Sequence, residues 1–104
     1  MDEKVRKRCV LDEQYIDNKK KIEYQMEVVQ EKMSIFRRES EQMIRQFIHC
    51  TKNDEINLSK VEQQLKNIED ELFYSANKEI ERLEENILEL NKEYEQALLE
   101  LENQ

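Results

Sequence analysis

The chain has no glycine, no proline and no tryptophan in 104 residues. Glycine and proline are the residues that build tight turns, so sheets and multi-element globules lack their turn chemistry here. Without glycine there is also no glycine-rich phosphate loop. Histidine occurs once, at His49, and cysteine twice, at Cys9 and Cys50. A structural metal site takes about four ligands, so neither a metal nor a cofactor is expected. A thin helical chain offers no pocket for Cys-His chemistry, and the carboxylates are spread over solvated positions. Enzymatic activity is not expected. There is no apolar run of membrane-spanning length and no signal-peptide core behind the charged start Met1-Asp2-Glu3-Lys4. A cytoplasmic protein is expected, with export alongside a partner left open.

What is present is charge and periodicity. Charged residues make up 40% of the chain and hydrophobic ones 38%. Such a composition marks either a long helix or a disordered chain. The spacing of the apolar residues selects the helix. Tyr15, Ile22, Val29, Phe36, Met43 and Cys50 recur every seven residues, and Met26, Met33, Ser40 and Phe47 form the companion line. Together they make an a/d heptad seam, interrupted upstream by Asp12 and Lys19. Methionine and phenylalanine dominate it, which predicts adaptable packing rather than a tight zipper.

A break follows at His49–Asp54, a run of poor helix formers. Ser59-Lys60-Val61-Glu62 has the capping-box pattern, with Thr51, Asn53 and Asp54 as competing caps. The second arm carries Leu58, Val61, Leu65, Ile68 and Leu72, then Ala76, Ile80, Leu83, Ile87, Leu90, Tyr94, Ala97 and Leu101. Between 68 and 80 the steps are all four, a slip that locally unwinds a supercoil.

These features predict an all-α antiparallel two-helix hairpin forming one domain. Helix 1 is expected over about 3–50, the turn over about 51–58 and helix 2 over about 59–102. Residues 1–52 carry a net charge of +2 and residues 53–104 a net −10. Unlike arms attract when folded together, which favours a hairpin over one straight helix in a parallel dimer. Arg6, Lys7 and Arg8 are expected to face Glu95, Glu100 and Glu102. The basic start otherwise reads as a solvated helix end. The overall charge of −8 makes nucleic acid an unsuitable partner. A continuous helix 1 holds Cys9 and Cys50 too far apart for a disulfide.

Some apolar residues lie off the seam: Tyr24, Val28, Ile35, Ile44 and Ile48, with the Phe73–Tyr74 patch at the slip. One seam cannot hide them, so they are the expected partner-binding surface, for a second copy or a different helical protein. Replacing Ile35 and Ile44 by Asp is expected to abolish partner binding without changing helix content.

Two long helices around a central turn resemble the small hairpin proteins of Gram-positive type VII secretion. The Trp-x-Gly turn of the best known of them is absent. So is their Tyr-x-x-x-Asp/Glu export signal, since Tyr94 is followed four residues on by Leu98 and Tyr74 by Lys78. The related Phe-x-x-x-Asp signal is missing as well, because Asn77 follows Phe73. The chain is closer in pattern to the signal-less helical accessory proteins of LXG-type toxins. The similarity lies in Lys19-Lys20-Lys21, the Phe36 to Phe47 centre and the Glu/Leu-rich stretch from Ile80 to Leu101. It implies a targeting chaperone that binds a toxin's helical N-terminal domain beside a second small helical protein. The readings that stand against it are a homo-oligomeric coiled-coil spacer and an antitoxin-like regulator.

Overall fold

The computed structural model describes residues 2–50 and 55–104. They form two helices, α1 (Glu3–Cys50) and α2 (Glu55–Glu102), each of 48 residues. The first helix, expected over about 3–50, spans Glu3–Cys50. The second starts at Glu55, so Ser59 and Glu62 lie inside α2 and cap nothing. The competing caps Thr51, Asn53 and Asp54 lie outside the described residues, as does the first half of the expected turn. His49 stands in the last turn of α1. No described helix is long and apolar enough to cross a membrane.

The all-α hairpin divides into two compact units, each made of one segment of either helix. The first unit is Met1–Glu27 with Ile80–Gln104, and the second is Val28–Glu79.

In the first unit the helices run antiparallel, and the contacts give the register. Lys4 Nζ donates to the Glu102 carbonyl at 3.4 Å. Tyr15 Oη donates to Asn91 Oδ1 at 2.5 Å, and the Tyr94 hydroxyl donates to Asp12 Oδ1. Numbers rise along α1 as they fall along α2. Leu83 and Leu101 are buried here and are the buried apolar side chains among the described residues. Ile22, Met26, Ile87 and Leu90 are half-buried around them. The alternation of three- and four-residue steps from Ile80 to Leu101 faces inward throughout, as its period predicts.

The polar interruptions of the seam have polar partners. Asp12 accepts from Tyr94, and the rings of Tyr15 and Tyr94 stack at 4.3 Å with Lys19 Nζ 5.7 Å from the Tyr15 ring. This layer belongs to one alignment of the helices, since sliding one past the other would strand four polar groups between apolar neighbours. The expected ion pairs of Arg6, Lys7 and Arg8 with Glu95, Glu100 and Glu102 do not define this end. Lys7 pairs along its own helix with Glu3 at 3.8 Å.

The Tyr94 hydroxyl is harder to ionise than an ordinary tyrosine, chiefly because it donates to Asp12, then because of burial and the Asp12 charge. A raised folded-state pKa means the proton stabilises the fold below the unfolded value of 10.0, and this contribution fades as pH rises above it. A spectrophotometric titration is expected to show one of the four tyrosines ionising after the others. Tyr94→Phe should remove that late step. Loss of an early step instead would mean that the Asp12 contact does not form in solution.

The second unit departs from the expected seam. On α1 the inward residues are Val29, Met33, Phe36, Ser40, Ile44 and Phe47, with Ser40 buried. Met43, placed on the seam by its heptad spacing, is 55% exposed, and Cys50 is exposed. On α2 Leu58, Val61, Leu65, Glu69, Phe73 and Ala76 turn inward. Ile68 and Leu72 stay outside, at 46% and 45% exposure. Both helices therefore take consecutive four-residue steps, 36-40-44 on α1 and 61-65-69-73 on α2. The slip expected on α2 alone is matched by one on α1. Steps of 4, 4 and 3 belong to an eleven-residue repeat of 3.67 residues per turn, which does not wind left-handed as heptads do. Ser40 contributes the small side chain at this level, and Glu69 reaches across to Arg37, whose Nε lies 3.5 Å from Glu69 Oε1.

Candidate functional site: an apolar groove in residues 28–79

The second unit has two unlike grooves between its helices. One is charged: five of its eight lining residues are Arg37, Glu41, Glu62, Lys66 and Glu69, with Ile44 and Leu65 at its floor. The Arg37 guanidinium joins Glu69 and also lies 4.3 Å from the centre of the Phe73 ring. Salt bridge and cation–π contact thus tie Arg37 to α2 along this edge.

The other groove is apolar, with a volume of about 280 Å³. Val29, Met33 and Phe36 line it from α1, and Leu72, Phe73 and Ala76 from α2. Only two of its nine lining residues are charged, Lys32 on the α1 rim and Glu79 on the α2 rim. Helical spacing extends it. Ile68 stands one turn before Leu72, and Met43 two turns after Phe36, so both carry the apolar flank onward. The slip is what put Met43, Ile68 and Leu72 there: each was displaced from the seam by its neighbour, Ile44, Glu69 or Phe73.

The residues expected to bind a partner do not form one surface. Ile35 and Ile44 are nine residues apart, about two and a half turns, and so project from opposite sides of α1. Ile44 is half-buried in the charged groove, and Ile48 is exposed one turn further along that side. Val28 and Ile35 are half-buried. Phe73 lines the apolar groove from inside, while its neighbour Tyr74 is exposed and carries Lys78 Nζ 5.3 Å above its ring. Tyr24 is exposed in the first unit. Sequence reasoning placed Leu72, Ile68 and Met43 in the core and thereby missed the groove's flank. The signal lay in the adjacent apolar pairs Met43–Ile44 and Leu72–Phe73, where either residue satisfies the seam.

No family model, curated protein or solved structure matches this chain.

The groove and its flank supply a continuous apolar strip bordered by few charges, without convergent polar groups to orient a small molecule. Among the described residues no three His, Cys, Asp or Glu side chains gather as a metal site. The chemistry this arrangement supports is packing against another apolar surface.

Proposed function

We propose that this protein is a non-enzymatic helical adaptor that receives the apolar stripe of a partner's amphipathic helix in the groove of residues 28–79. The observation that carries this reading is the contrast between the two grooves of one unit. One is lined mainly by charged side chains, with Arg37 joined to Glu69 and Phe73, and the other is apolar and leaves Leu72, Ile68 and Met43 facing outward. Helix-in-groove recognition uses anchors at three- and four-residue spacing, which this strip accommodates. The resemblance to LXG-toxin accessory proteins supplies the specific version. The partner is then the helical N-terminal domain of such a toxin, held for type VII export from a Gram-positive cytoplasm in company with a second small helical protein.

Co-expression with an LXG-type N-terminal domain tests both levels. The complex is expected to survive size exclusion, and Leu72→Asp is expected to abolish it. A partner present at one hundred times its Kd should stabilise the chain by about 2.7 kcal/mol, read as a higher melting midpoint. A complex unaffected by Leu72→Asp would place the partner elsewhere on the chain. A chain that forms a sharply melting filament or large oligomer alone would favour the spacer reading.

A further inference from the structure

We infer that two copies of this chain close their apolar grooves on each other, so that residues 28–79 of both form a four-helix arrangement. The inference rests on reading this groove as a docking surface, and it names what occupies the groove before a partner does.

Four observations carry it. The second unit has no fully buried apolar side chain among its described residues, since Leu83 and Leu101 both belong to the first unit. Met33, Phe36 and Phe73 are only half-buried, and Leu72, Ile68 and Met43 are exposed beside them. A second copy would complete that core.

Charge selects the same face. A chain of net charge −8 repels its own copy over most of its surface. The apolar groove carries one Lys and one Glu, so two copies meet there with little like-charge opposition. The charged groove holds three glutamates against one arginine and one lysine, so two copies closing there would bring a net negative charge together.

The rims are self-complementary. A two-fold axis running along the groove lays α1 of each copy over α2 of the other. It brings the Lys32 rim of one to the Glu79 rim of the second copy, twice over. This is the isologous relation a closed dimer requires.

The surface area agrees. The chain exposes 8553 Å². A globular monomer of 12.8 kDa exposes about 6,300 Å². The excess of roughly 2,300 Å² is spread over the whole chain, and it leaves room for the ~800 Å² per partner of a standard interface.

Light scattering after size exclusion tests the dimer on the full chain. At about 100 μM the wild type is expected at twice 12.8 kDa, and Leu72→Asp at 12.8 kDa with unchanged helix content by circular dichroism. Should Leu72→Asp lose helix, the milder Met43→Gln is read instead, with a tenfold or larger rise in the dissociation constant expected. Leu88→Asp, on an exposed position of the first unit, should leave the dimer intact. A wild type that stays monomeric at this concentration overturns the inference and leaves the partner-helix reading standing. So does a dimer that ignores Leu72→Asp and Met43→Gln but breaks on Leu88→Asp. If the dimer forms and the toxin domain fails to displace it, the adaptor reading falls while the dimer remains.

Discussion

Leu83→Ala is expected to destabilise the protein by about 3 kcal/mol, the usual cost of emptying a buried leucine site. Leu83 is 1% exposed and is the largest fully enclosed side chain among the described residues. It sits on α2 in the stretch that meets α1 with unbroken heptad spacing. Its truncation removes packing that few other residues in the first unit can replace, since Leu101 is the other buried leucine there. For a chain of this size that loss lowers the thermal midpoint by roughly 15 °C, measured by circular dichroism at fixed protein concentration. Leu88→Ala is the matched control. Leu88 is 61% exposed, and its truncation should shift stability by no more than about 0.5 kcal/mol. Equal midpoints for the two variants would mean that residues 80–104 do not pack on α1 through the Leu83 line.

The second large effect separates two isoleucines that looked equivalent. Ile44→Asp is expected to lose about 2 kcal/mol of stability, whereas Ile35→Asp should lose much less. Ile44 is half-buried in a groove already holding Glu41, Glu62 and Glu69, so a new carboxylate there meets like charge and partial desolvation together. Arg37 is already engaged by Glu69 and Phe73, so Lys66 is the other cation of a groove that holds three glutamates. Ile35 projects from the opposite side of α1. Urea unfolding of both variants decides the matter. A larger loss for Ile35→Asp would reverse the assignment of sides, and with it the identity of the apolar groove.

These two cases show how far the residue pattern reaches. In the first unit the inward residues of α2 from Ile80 to Leu101 are those the heptad names, because the three-four alternation runs unbroken there, even where the apolar Leu88 and Leu98 stand next to seam positions. In the second unit the pattern is ambiguous at Met43–Ile44 and Leu72–Phe73, and at Ile68–Glu69 the structure turns the polar residue inward against it. Met43 or Ile44, and Leu72 or Phe73, satisfy the same spacing equally well. The off-seam set Tyr24, Val28, Ile35, Ile44 and Ile48 was assembled from what the heptad left over, so once Ile44 joined the seam the set no longer described one face. The capping box at Ser59 failed for a related reason. A Ser followed three residues on by Glu also occurs within helices, and only the chain's actual entry into α2 at Glu55 distinguishes the two.

Composition and apolar spacing together determined that the chain is two long helices. No glycine or proline interrupts either arm, and strong helix formers with an apolar period near 3.5 leave no competing structure. Those are local properties, carried by each residue and its near neighbours. Which side chains turn inward at the slip, which groove holds Arg37 and Glu69, and which leaves Leu72 outside were decided only by the tertiary structure. The reason is that a four-residue step on one helix is stable only opposite a matching step on the other, and that match joins residues about thirty positions apart in sequence, as Ser40 and Glu69 are.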